Sequence, residues 1–290
     1  MIELHCHLDG SIRKAALVDF LGFDPSDIYF HKGMGLANAL KSFETILGTL
    51  QTPDLVKTAV ENLCTDLTFS GVYEAEIRFA PQLHYGAPIE EIVDAAQAGL
   101  YGNKKLVLCG LYGEHPNVLN RLVETARTRE KVVGIDLAGA PSPNDRWSLM
   151  DYSEAFTKAK TYGLGRTVHA GEGRSPKEIE VAINFLHAQR IGHGLTVLDD
   201  WKTKDLVLQK DVLIEACLTS NYHTGCIKEY SDHPMKQWIK EGIKFAICAD
   251  NTLLSQTDLE NELHLSRVHC GLTKQEVKQT QLWAREKAFL

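Results

Sequence analysis

Short apolar runs that end in Gly, Pro, Asn or Asp recur along the chain, alternating with longer stretches whose apolar residues return at helical spacing. The short runs predict strands over 2–7, 73–79, 106–111, 132–137, 166–169, 190–193, 212–217 and 245–248. Helical periodicity occupies 89–100, 118–129, 153–162, 176–188, 202–209 and 234–241, with a last helix over 274–289. Strand and helix in alternation imply parallel pairing with the helices outside. Eight such strands close a (β/α)8 TIM barrel, an α/β fold in which reactive groups collect at the C-terminal strand ends.

The first crossover breaks the rhythm. Segment 8–72 has room for three helices, near 14–21, 36–50 and 53–69, and this extended helical excursion is expected to form a lid or a wall of the substrate pocket. A doubly wound open sheet would need a Gly-rich phosphate turn after its first strand. His7-Leu8-Asp9-Gly10-Ser11 is no such turn. With no internal repeat, low-complexity segment or linker, residues 1–290 read as a single domain.

Composition narrows the partners. The 290 residues suffice for a barrel of about 250, and 44% apolar with 24% charged residues is ordinary for a protein with a sizeable core. At a net charge of −7, a nucleic-acid partner would require a concentrated basic face. The densest basic stretches, Asn103-Lys104-Lys105 and Arg127-Thr128-Arg129-Glu130-Lys131, are short and read as solvated helix ends. No nucleic-acid partner is expected. No apolar run reaches the ~18 residues of a membrane span, so no membrane partner is expected either. The seven cysteines are odd in number and contain no C-x-x-C pair, which reads as free thiols in a reducing compartment. Together with an N-terminus lacking a basic or apolar leader pattern, this predicts a cytoplasmic protein.

The predicted strand ends carry the chemistry. His5 and His7 stand at i and i+2, so both point inward at the mouth, where two neutral imidazoles can share one divalent ion. The fifth strand ends in His169-Ala170-Gly171-Glu172, the sixth in Gly192-His193-Gly194, and the eighth in Ala249-Asp250-Asn251. Three histidines and an aspartate, without a thiolate pair, suit Zn²⁺. Cys6 faces away from its histidine neighbours and is not counted as a ligand. The remaining histidines (His31, His84, His115, His187, His223, His233, His264 and His269) read as surface or local packing.

These residues resemble the adenosine deaminase family of the amidohydrolase superfamily. The matching segments are His5-Cys6-His7-Leu8-Asp9-Gly10-Ser11, Ile135-Asp136-Leu137-Ala138-Gly139, Thr167-Val168-His169-Ala170-Gly171-Glu172, Arg190-Ile191-Gly192-His193-Gly194, Cys217-Leu218-Thr219-Ser220-Asn221 and the Asp250 segment. They follow the family's order across nearly the whole chain. The resemblance implies one zinc held by His5, His7, His169 and Asp250. It implies Glu172 as the proton donor to purine N1, and His193 as the group that orients and helps deprotonate the attacking water. It also implies that Gly139 contacts N3 through its backbone, that Asp9 meets the sugar 5′-hydroxyl, and that His7 lines the substrate pocket.

Chemistry agrees with that assignment. C6 becomes electrophilic enough for water only if N1 gains a proton, and burial would keep Glu172 protonated for the task. Binuclear relatives bridge their metals with a strand-four lysine; Asp136-Leu137-Ala138-Gly139 contains none, so one metal is expected. Two departures concern the purine. Asn251 stands where the family often has a second aspartate near N7, and an amide N–H can donate to N7 at any pH. Ala140-Pro141 replace acidic residues after the strand-four glycine.

A purine nucleoside, adenosine first, is the expected small-molecule substrate. AMP would want a cation where Asp9 stands. Adenine and 5′-modified adenosines remain alternatives, as does a barrel that binds nucleoside without turnover. The H-x-E and P-C-x-x-C zinc motif of nucleic-acid base deaminases is absent from the sequence.

Overall fold

The computed structural model describes the chain except for Phe23, Pro25 and Pro143, with the backbone alone at Phe20 and Leu21. Among the described residues, eight strands follow in order: β1 Ile2–His7, β2 Glu74–Phe79, β3 Asn103–Leu111, β4 Val132–Ala138, β5 Gly165–Ala170, β6 Arg190–His193, β7 Leu213–Ala216 and β8 Phe245–Ile247. Each pairs in parallel with the next. An isolated parallel bridge between Cys6 and Asp250 joins the first strand to the segment after the last. There the Asp250 N–H donates to the His5 carbonyl and the His7 N–H to the Asp250 carbonyl, each at 2.8 Å. The fold is the (β/α)8 TIM barrel that the periodicity implies.

The helices are α1 Lys14–Leu21, α2 Leu36–Gly48, α3 Pro53–Phe69, α4 Ile89–Gly99, α5 Pro116–Ala126, α6 Ser153–Thr161, α7 Lys177–Asn184, α8 Trp201–Gln209, α9 Leu218–His223, α10 Met235–Glu241, α11 Leu259–Val268 and α12 Lys274–Lys287. Local chemistry explains several boundaries. The Thr52 side chain accepts the Leu55 N–H ahead of Pro53, and Thr273 with Glu276 forms a capping box at α12. The expected helix 176–188 stops at Asn184 because the chain folds back: Ala188 N–H bonds to the Ala182 carbonyl, and His187 takes φ 53°. Periodicity did not show α9, which follows β7 directly, or α11.

One reading is corrected. Asn103-Lys104-Lys105 is no helix end; it opens β3, in register with Glu74, Ala75 and Glu76 of β2. Lys104 is buried, its Nζ donating to Thr68 Oγ1 at 2.9 Å and lying 5.4 Å above the Tyr101 ring. Ladder pairing and α3 overrode the local charge signal. Segment 127–131, by contrast, does follow the end of α5.

Many barrels fill their interior with aliphatic layers. This one holds a buried ionic lattice instead. Arg78 pairs with Asp136 at 2.8 Å and with Glu215 at 2.9 Å, and Arg190 pairs with Glu76 at 2.5 Å and with Glu215 at 2.7 Å. Thr167 Oγ1 donates to Glu215 at 3.0 Å. Buried charges are tolerated when each has a partner and its remaining hydrogen bonds are met. Here the lattice stands directly beneath the mouth.

Candidate active site

β1 delivers His5 and His7, β5 delivers His169, and β6 delivers His193; Asp250 comes from the turn that closes the ring. His7 Nε2 lies 3.3 Å from His169 Nε2. Asp250 Oδ1 lies 3.5 Å from His5 Nε2 and 3.6 Å from His7 Nε2. The four residues expected to bind the metal therefore converge. Neither His193 nor Asp250 gets there by simple strand geometry, since both have left-handed backbones, with φ of 65° and 64°. Such strain in non-glycine residues persists where the surroundings hold it, often at functional sites.

The electrostatics suit a cation. Burial drives His7, His169 and His193 below the usual imidazole range, leaving them neutral with lone pairs available. Burial and the nearby charge of Arg78 would push His5 down as well, but the carboxylates of Asp250 and Glu215 beside it outweigh that and raise it to about 9. Burial opposes ionisation of Asp250, yet His5 and the surrounding imidazoles hold its carboxyl well below the ordinary range. The buried His5 Nε2 has no hydrogen-bond partner. A divalent ion fits these donors: one carboxylate, converging imidazole nitrogens, and an orphaned nitrogen aimed among them.

The outer nitrogens of the imidazoles are occupied. Glu215 Oε2 accepts from His5 Nδ1 at 2.7 Å, and Asp136 accepts from His169 Nδ1 at 3.0 Å. A carboxylate on the outer nitrogen fixes the tautomer that leaves Nε2 as the ligand atom. These two residues gained no role from sequence reasoning, although Asp136 sits in a matched segment. Their signal was a charged residue at an inward strand position. Cys217 was missed too; its thiol lies within reach of His5, His193 and Asp250. Burial holds that thiol well above its ordinary range, so it stays protonated, a poor ligand state.

Glu172 follows β5 and is 4% exposed. Desolvation pushes its carboxyl up to about 8, against the opposing charge of Arg174, whose Nη1 is 3.7 Å from Oε2. The group thus carries a proton at neutral pH. His193 Nε2 lies 3.9 Å from Glu172 Oε2, and its Nδ1 lies 3.0 Å from the Asn221 amide at the start of α9.

A cavity of about 60 Å³ joins His7, His169, Glu172, His193 and Asp250 to Gly139 and Asn251. It adjoins a chamber of about 660 Å³ that also touches His7 and Gly139 and carries Asp9. Leu40 and Phe43 of α2 line both, so the first crossover does supply a pocket wall. Burial raises Asp9 to about 7, and its Oδ1 has no partner. Gly139 has φ 80°, a conformation open to glycine. Asn251 is buried with Oδ1 turned toward Gly10, where any Cβ would overlap it. Among the described residues, neither cavity is lined by a lysine or arginine.

Fold and site define a barrel hydrolase of the amidohydrolase type. A family model described as adenosine deaminase matches residues 1–290. The chain is 33% identical over 312 aligned positions to an adenosine deaminase of Clostridium botulinum, covering 99% of this chain and 93% of that protein. A probable adenosine deaminase of Dictyostelium discoideum is 32% identical over 91% of the chain, though over only 37% of its own length. The chain belongs to the adenosine deaminase family, and it is a hydrolytic deaminase acting on C–N bonds. Solved structures share the fold: Arabidopsis ADAL complexed with IMP (TM-score 0.87, 24% identity, all of this chain and 92% of that one) and an adenine deaminase from Arthrobacter aurescens (0.87, 19%, all and 93%). An amidohydrolase from Burkholderia ambifaria, solved with bound Zn, also superposes (0.87, 21%, all and 85%). Among the described residues, no helix is long and apolar enough to cross a membrane.

Proposed function

We propose that the protein converts adenosine and 2′-deoxyadenosine to the inosine compounds and ammonia, with one Zn²⁺ held by His5, His7, His169 and Asp250. The observation that carries this reading is the burial of the Glu172 carboxyl in the same small cavity as the converging imidazoles, where desolvation favours its protonated form. The ion would supply Lewis acidity that makes water nucleophilic at neutral pH. Glu172 gives its proton to N1 as the water oxygen bonds to C6. His193 accepts a proton from that water and passes it to the amino nitrogen; the C6–N bond breaks and ammonia leaves as the C6 hydroxyl gives its remaining proton back to Glu172, which forms the C6 carbonyl and restores the acid. A base at His193 needs its Nε2 lone pair. Asn221 Nδ2 stands 3.0 Å from Nδ1, and turning that amide over would let its unpartnered Oδ1 accept from Nδ1–H and leave the Nε2 lone pair free. Asn251 would donate to N7, the Gly139 backbone would meet N3, and Asp9 would accept the 5′-hydroxyl.

Absence of a lining cation favours a neutral nucleoside over AMP, although a neighbouring fold binds IMP. The chamber beyond Gly139 gives the sugar a place that adenine would leave empty. Its 660 Å³ also favours a second reading, an adenosine with an enlarged 5′ group. All seven cysteines are free, which supports a cytoplasmic location. Ultraviolet assays of adenosine, 2′-deoxyadenosine, adenine, AMP and 5′-modified adenosines, run side by side, test the assignment. Adenosine should exceed AMP in kcat/KM by about 100-fold or more. Turnover of AMP or adenine above adenosine overturns it.

A further inference from the structure

A second cleft, of about 570 Å³, shares no residue with the two cavities at the mouth. It opens at the opposite end, where β5 and β6 begin and α7, α8 and α12 end. Its charges are unbalanced. Asp211 and Glu286 line it, but Asp211 is taken by Lys244 at 3.0 Å and Lys287 at 2.6 Å, and Glu286 by Lys244 at 2.9 Å. Lys160, Arg166 and Lys210 also line it, and among the described residues none of them makes an ion pair.

Arg166 is the decisive group. It is 9% exposed, and its guanidinium donates to the backbone carbonyls of Leu164 at 2.6 Å and His187 at 2.9 Å, with no acid nearby. A buried cation without countercharge is disfavoured, and desolvation pulls Arg166 below its ordinary range. His187 on the same rim is depressed by its own desolvation and then by Lys160 and Arg166, a sign of the local positive field. Beside the polar Asn184 and Gln189, part of the wall is apolar: Ile183, Ala188 and Phe289, whose ring stacks on Arg190 at 3.6 Å. Two of the five non-glycine residues with positive φ among the described residues, His187 and Asp211, stand here.

We propose that this cleft binds a small phosphate-bearing molecule. Arg166, Lys160 and Lys210 hold the phosphate, because guanidinium and ammonium donors match its oxygens. The organic part rests on Ile183, Ala188 and Phe289.

Calorimetric titration of the metal-loaded protein with ribose 5-phosphate, orthophosphate and ribose tests this. Ribose 5-phosphate should bind and ribose should not. The double variant Lys160→Ala/Lys210→Ala alters only exposed, unpaired lysines, so it should fold normally. It should weaken binding by about tenfold or more while deamination is unchanged; Arg166→Gln should do the same if it folds. Orthophosphate binding as tightly as ribose 5-phosphate sustains the site and names free phosphate as its source. No binding of either phosphate at about 10 mM, or equal binding by the double variant, overturns the proposal.

Discussion

Glu215 Oε2 sits 2.7 Å from His5 Nδ1, and the same carboxylate also holds Arg78 and Arg190. Burial opposes its ionisation, but Arg78 and Arg190 draw it far below the ordinary carboxylate range, so it is an anion beneath the proposed metal site. Glu215→Gln should lower metal affinity by about 10–100-fold, measured by chelator competition. It also leaves two buried guanidinium groups short of countercharge, a loss of roughly 3–5 kcal/mol readable by denaturant unfolding. Wild-type metal affinity would deny Glu215 any part in orienting His5.

Chelation should abolish activity, and Zn²⁺ should restore it: His7 and His169 are neutral with lone pairs available, while His5, raised to about 9, gives up a proton as the ion binds. Activity that survives a metal-free preparation would remove the ion from the reaction.

Glu172→Gln keeps the shape of the side chain but loses the acid. Turnover should fall by about 10²–10⁴-fold, with metal content unchanged by elemental analysis. Near-normal kcat would eliminate Glu172 as proton donor.

The pH profile follows from the same group. The proposed role of Glu172 needs its protonated form, and burial raises its pKa to about 8, so kcat/KM should fall as pH rises through about 8. Arg174, 3.7 Å away, favours the ionised form. Arg174→Met should therefore move this descending limb to higher pH. A limb that stays put, or moves down, contradicts the assignment.

Asn251→Asp replaces a permanent donor with a group that donates only when protonated. The variant should lose activity toward alkaline pH beyond the wild-type limb, chiefly through KM. An unchanged profile means Asn251 does not contact N7.

Much of the site was legible because it is written in short strings. His5 and His7 share a strand face, His169 and Glu172 are three residues apart, and each segment stands at the end of a run with strand character. The supporting carboxylates were not legible. Asp136 and Glu215 act on histidines 33 and 210 residues distant in sequence, and no local pattern states which strand will lie opposite which.

The alternation of short apolar runs and helical periods therefore determined the eight-fold barrel, and the strand-end residues determined the kind of chemistry, because both depend on neighbours within a few positions. Tertiary structure alone decided the rest: the left-handed backbones that turn His193 and Asp250 into the mouth, the strand that absorbs 103–105, and the volumes of the two chambers. It also decided the protonation of Glu172. A proton's affinity depends on how much water and charge surround a group in space, and residues far apart in sequence provide those surroundings.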